Sequence, residues 1–136
     1  MNVRAVLATK GLRHTNGRGQ VLHVLENQRR PLTHAEVAER IPEGALDLAS
    51  VYRNLVKLTD AGLVSRIECG DRRWRYELQG DAHAHFLCVG CGAVACLREA
   101  VGPASSACLG QPGGEVGEVL DVLVRGRCRA CLEGDA

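Results

Sequence analysis

The sequence predicts an α/β (α+β) chain: an N-terminal winged helix-turn-helix domain, then a small α/β domain built on a four-cysteine zinc site. Three observations carry this. After a short leading helix, the first 78 residues read as three helices and then a β-hairpin, the order of a winged helix. Two CxxC pairs, Cys88/Cys91 and Cys128/Cys131, stand in the later part. Charge also changes sign along the chain. Residues 1–80 hold 13 Lys/Arg and 9 Asp/Glu, a net of +4, and residues 81–136 hold 4 and 7, a net of −3. The domain reading is 1–78 for the winged helix, 79–82 ("QGDA") for a hinge, and 83–136 for the second domain.

The elements follow in order. Residues 2–10 read as a short helix that stops at Gly11, a glycine suited to the left-handed position after a helix end. In "TNGRGQVLHVLENQ", Thr15 or Asn16 can cap a helix whose apolar face is Val21, Leu22, Val24 and Leu25, and Pro31 ends the segment. "LTHAEVAERI" opens with a capping box, Thr33 and Glu36, and buries Val37 and Ile41. Pro42 and Gly44 break the chain. Asp47 caps "LASVYRNLVKLTDAG", whose stripe is Leu48, Val51, Tyr52, Leu55 and Leu58, and Gly62 closes it. "LVSRIE" and "RWRYEL" alternate around "CGDR" as a hairpin. "HAHFLC" and "AVACL" are expected strands on either side of the first CxxC turn. Residues 98–109 are expected to form a short helix, "GQPGGE" a loop, and "EVLDVLVRG" a strand leading to the second CxxC.

Composition excludes some classes. No apolar run is long enough to span a membrane. The first residues lack the apolar core and cleavage site of a secretory leader, so a cytoplasmic location is expected. Aromatics are 3% of the chain. With so few large rings, small domains need support from a metal or from oligomerisation. Seven cysteines in a reducing compartment point to metal or redox chemistry before disulfides.

Two residues between cysteines let both thiolates of a tight turn face one ion, and two such turns complete a tetrahedron of sulfur. Cys88, Cys91, Cys128 and Cys131 are therefore read as a structural zinc site, favoured over disulfides or thiols. Neither CxxC sits at a strand-to-helix start in a βαβ pattern, which disfavours thioredoxin-like chemistry. The long gap between the pairs means the ion would clamp the last strand onto the earlier hairpin.

His83 and His85 lie two apart on an expected strand and so share a face. With His34 and Glu77 they form a mixed N/O set across the hinge, suited to Fe(II), Zn(II), Mn(II) or Ni(II). Competing readings make His34 a solvated or capping residue and Glu77 an exposed strand residue. Cys96 is read first as a small buried apolar residue. Its alternative is a thiolate in this second site, which would tilt the preference toward zinc. Cys69 is expected to be exposed in the hairpin turn, and Cys108 has no nameable partner.

For nucleic acid, Ser50, Tyr52, Arg53 and Asn54 lie in the N-terminal half of the helix that would read base edges. Arg13 and Arg18 can grip phosphates, and Arg72, Arg73 and Arg75 load the wing with charge. Tyr52 also fits the buried stripe.

At this point the sequence resembles the ferric uptake regulator superfamily of bacterial metal- and peroxide-responsive repressors. The stretches that carry the likeness are "GLRHTNGRGQVLHVL", "LTHAEVAERI", "LASVYRNLVKLTDAGLV", "RYEL", "HAHFLCVGCG" and "CRAC". The resemblance implies a homodimer, joined through its C-terminal domain, that binds inverted-repeat DNA operators when loaded with metal. It places His34, Glu77, His83 and His85 on a sensory site, and Cys88, Cys91, Cys128 and Cys131 on a structural Zn(II) site. Arg13, Arg18, Tyr52 and Arg53 fall on DNA-contacting positions. A regulatory divalent metal is expected, Fe(II) ahead of Zn(II), Mn(II) or Ni(II); neither a membrane nor a small-molecule substrate is. Ala82 and Ala84 replace histidines that feed a further site in many members, the expected histidine in the last strand is missing, and residues 98–118 look shortened. That further site is expected to be absent. Cys96 falls about where the peroxide-sensing branch has an aspartate. Alternatives are a zinc- or peroxide-responsive regulator on the same scaffold and, from another class, a small metalloenzyme, for which no nucleophile, phosphate loop or general-base motif is visible.

Overall fold

Four side-chain caps start the helices that build the first part of the chain. In the computed structural model, which describes residues 1–80, 83–97 and 121–134, the chain divides into two units, Met1–Gly80 and Asp81–Ala136. Helix α1 (Val3–Thr9) is capped by Asn2, and Gly11 beyond its end takes φ +69°. Helix α2 (Asn16–Gln28) starts with the Thr15 hydroxyl accepting from the Arg18 N–H, and buries Val21, Leu22, Val24 and Leu25. A two-residue strand, β1 (Leu32–Thr33), leads directly into α3 (His34–Glu39). Both arms of the Thr33–Glu36 capping box are made, at 3.2 and 3.0 Å. Asp47 accepts from the Ser50 N–H at 2.7 Å and starts α4 (Leu48–Asp60), and Gly62 at φ +81° follows its end. Each such cap stabilises its helix by about 1 kcal/mol.

Strands β2 (Val64–Glu68) and β3 (Trp74–Leu78) form the expected hairpin. The sheet order is β1-β3-β2, antiparallel throughout, with β3 central. Helices and sheet close over Leu7, Leu22, Leu25, Leu32, Val37, Val51, Leu55, Leu58, Val64 and Tyr76. A side chain of this size, fully buried, contributes about 2 kcal/mol through removal of apolar surface from water.

Four details of the first unit differ from the sequence reading. Strand β1 was not expected. Leu48 and Tyr52 are 57% and 48% exposed, so the buried stripe of α4 is narrower: Val51, Leu55 and Leu58. Cys69 is buried, although it stands in the hairpin turn. Arg75 is also buried, because Asp71 takes both of its terminal nitrogens, at 3.1 and 2.8 Å. That ion pair removes Arg75 from the charged surface of the wing.

In the second unit, β4 (Ala84–Cys88) lies between β5 (Val94–Leu97) and β6 (Leu123–Gly126). It is antiparallel to β5 and parallel to β6. Four of its five residues are buried, as a strand with neighbours on both edges should be. Gly126 is opposite Cys88, and any Cβ there would come within 3.0 Å of the Phe86 ring. A short helix, α5 (Arg129–Gly134), follows β6 and carries Cys131. The second CxxC does sit where a strand gives way to a helix, but among the described residues no strand follows α5, so it is not part of a βαβ unit there. The short helix and loop expected over 98–118, the first residues of the last strand, Ala82 and Cys108 lie outside the described residues.

Candidate metal centres and nucleic-acid surface

The CxxC turns bring four sulfurs together. Cys88 and Cys131 are 3.6 Å apart at Sγ, and Cys91 and Cys128 are 3.8 Å apart. All four ligand atoms lie within 4.8 Å of one another. A Zn–S bond of about 2.3 Å puts tetrahedral sulfurs about 3.8 Å apart, so the donor set fits zinc. None of the six described cysteines is in a disulfide. Two backbone N–H groups aim at the Cys88 sulfur, from Cys128 at 3.3 Å and Cys91 at 3.4 Å. They bring the Cys88 thiol down to about 6, favouring the thiolate that a metal requires. Its bond to the Cys88 sulfur pushes Cys131 up to about 12. Gly90 lets the turns approach: a Cβ there would lie 3.0 Å from the Cys131 sulfur.

A second group occupies the other face of β4. The ligand atoms of His83, His85 and Cys96 lie within 4.8 Å of one another. The two imidazole rings stand 4.5 Å apart, centre to centre. Cys96 is the direct cross-strand partner of His85, which places both on one face. His85 is buried; His83 and Cys96 are half-buried. Counting along the strand, His85 and Cys88 are three residues and about 10 Å apart, pointing to opposite faces.

The other two expected ligands belong to the first unit. Glu77 is buried on β3 opposite Ser65, which removes the reading of an exposed strand residue. His34 opens α3, and its Nε2 donates to the Leu48 carbonyl at 2.7 Å. A carbonyl only accepts, so Nε2 is the donor in this bond. The His34 ring also packs on Tyr52, 5.4 Å between centres.

The expected DNA-contacting residues divide. Tyr52, Arg53, Arg72 and Arg73 are exposed, as is Arg13. Arg53 donates to the Ser50 hydroxyl at 2.9 Å, which joins the two on one helix face. Arg18 is half-buried and donates to the Arg13 carbonyl at 2.7 Å. Asn54 is turned inward: its amide donates to the Ser50 carbonyl, and its nitrogen lies 2.7 Å from where a Gly17 Cβ would be. That position suits helix packing against α2 better than base reading. Asp71 accepts from the Arg73 N–H as well as from Arg75, and the Arg75 guanidinium holds its carboxyl below the usual range. Arg66 stacks on Trp74, 3.9 Å from the ring centre. Sequence reasoning missed both partners; their diagonal cross-strand placement was the available signal. No described helix is long and apolar enough to cross a membrane.

Comparison with known proteins gives one consistent likeness. Residues 9–101 match the model of the ferric uptake regulator family. The ferric uptake regulation protein of Legionella pneumophila is 41% identical over 92 residues, 65% of this chain and 68% of that protein. Ferric uptake regulation protein 1 of Mycolicibacterium fortuitum is 37% identical over 106 residues, 76% of this chain and 66% of that protein. The chain therefore spans about two-thirds of the length of these relatives. The solved ferric uptake regulator of Pseudomonas aeruginosa with manganese is 26% identical, with a TM-score of 0.71 over 95% of this chain and 99% of its own.

Proposed function

Because this chain belongs to the ferric uptake regulator family, we propose that it is a metal-dependent, DNA-binding transcriptional repressor that acts as a homodimer on inverted-repeat operators. Members of this family are transcription factors rather than enzymes. The observation that carries the reading is that one unit exposes Tyr52 and Arg53 on α4, while the other gathers two donor sets that each take a residue from β4.

Cys88, Cys91, Cys128 and Cys131 would hold a structural Zn(II), which would clamp β6 and α5 onto β4. A closed four-sulfur shell offers no open position, so its contribution is to folding. His83 and His85 would hold the regulatory ion with Glu77 and His34, drawing the winged helix toward a fixed relation with the second unit. Two reading helices would then meet successive half-sites on one face of DNA. Ser50, Tyr52 and Arg53 are the base-reading candidates; Arg13, Arg18, Arg72 and Arg73 serve the phosphates. The bond from His34 Nε2 to the Leu48 carbonyl links the site to the first residue of α4. Metal and operator would reinforce each other reciprocally.

Fe(II) is the ion the relatives' names suggest. Zinc-responsive control is the second reading, and Cys96 beside His85 is the observation that favours it. A mobility shift against family-type inverted repeats, titrated with Fe(II), Zn(II), Mn(II) and Ni(II), tests the whole. His83→Ala is expected to abolish metal-dependent shifting while the purified protein keeps the zinc of its four-cysteine site. Unchanged operator affinity in that variant would sink the mechanism.

A further inference from the structure

We infer that Cys96 is a thiolate ligand of the histidine site and the residue that sets its metal selectivity, toward Zn(II) and away from Mn(II) and Fe(II). The regulatory meaning rests on the function proposed above; the coordination chemistry stands apart from it.

Register is the first argument. Antiparallel pairing puts Cys96 directly opposite His85, and directly opposed residues have Cβ atoms about 5 Å apart. His85 is two residues after His83, so alternation turns all three side chains to one face. Their ligand atoms lie within 4.8 Å of one another. An ion bonded to imidazole at about 2.0 Å and to thiolate at about 2.3 Å separates such donors by about 3.5 Å. Small side-chain adjustments thus close all three on one ion.

Surroundings are the second argument. A cysteine serving only as a small apolar filler belongs among apolar neighbours. Cys96 instead faces a buried imidazole, with Leu123 on the far side of His85.

Donor chemistry is the third. Two imidazoles and a carboxylate make the set on which open Fe(II) sites are built, and Mn(II) prefers oxygen. A thiolate in the carboxylate's place moves the set toward zinc, which takes nitrogen and sulfur in four-coordinate geometry. Glu77, if it joins as proposed, supplies one oxygen and leaves the sulfur decisive.

The test uses the full chain with its four-cysteine site filled with zinc, titrated with Co(II). A sulfur-to-cobalt charge-transfer band is expected to grow with one equivalent. Cys96→Ser and Cys96→Ala should lose that band but keep the cobalt ligand-field bands from the remaining donors. Zn(II) affinity should fall by about tenfold or more, and Cys96→Asp should recover Mn(II) binding in competition with zinc. A second measurement needs no variant: one added equivalent of Zn(II) should slow alkylation of Cys96 in the native chain, read by mass spectrometry. An unchanged charge-transfer band in Cys96→Ala, or equal alkylation with and without zinc, would overturn the assignment. Cobalt bound through Cys96 in a protein that never shifts an operator would uphold it and refute the DNA-binding function instead.

Discussion

Arg72 occupies the left-handed region, φ 63°, at the tip of the hairpin turn. A non-glycine residue there costs about 1 kcal/mol, which a glycine would not incur. Its charge is exposed, where a DNA phosphate could be reached. Arg72→Gly is therefore expected to raise folding stability by about 1 kcal/mol in denaturant titration. The same change should weaken operator binding and make its salt dependence shallower by about one ion. A variant that gains stability and binds DNA undiminished would remove Arg72 from the interface. At this scale the sequence was legible where chemistry is local. The CxxC spacing named all four sulfurs, and they do lie together. It was illegible where a partner comes from the fold. Arg75 reads as a wing charge until Asp71 is seen across the turn, and Cys69 reads as exposed until it is found buried. Cys96 needed the pairing of β4 with β5, because sequence spacing from His85 does not fix which position it opposes.

At the scale of elements, the helix starts were the most legible feature. Thr15, Thr33 and Asp47 all cap as their residue types require. Strand β1 escaped because two residues cannot display a period. The α4 stripe is narrower than its residue types suggest, because Leu48 and Tyr52, in its first two turns, are exposed rather than packed. His34 accounts for part of that arrangement: its ring holds the Leu48 carbonyl and covers Tyr52. His34→Ala is expected to lower the stability of metal-free protein by about 1 kcal/mol, the net contribution of one such hydrogen bond. A residue acting solely as a metal ligand would leave metal-free stability unchanged, so thermal melts in chelator decide between the two roles.

Across the whole molecule, one short strand supplies a ligand to each donor group. β4 contributes His85 to one face and Cys88 to the other, and its neighbours β5 and β6 bring Cys96 and lead into Cys128. Cys88 and Cys131 are 43 residues apart, and closing a loop of that length costs roughly 3 kcal/mol. A zinc bound by four thiolates offsets that easily. Chelator strong enough to strip this zinc is expected to release β6 and α5 together, seen as lost amide protection over 123–134, and with them any metal-dependent operator binding. Protection that survives zinc removal would show that pairing of β6 needs no clamp.

The central position of β4 has a consequence for the zinc-free chain beyond lost order. With β6 gone, an apolar strand is left with one open flank of unpaired backbone N–H and C=O groups, a template for any other strand that meets it. Zinc starvation should then yield sticky, misassociated protein before it yields soluble unfolded monomer, with the histidine site caught inside the aggregate.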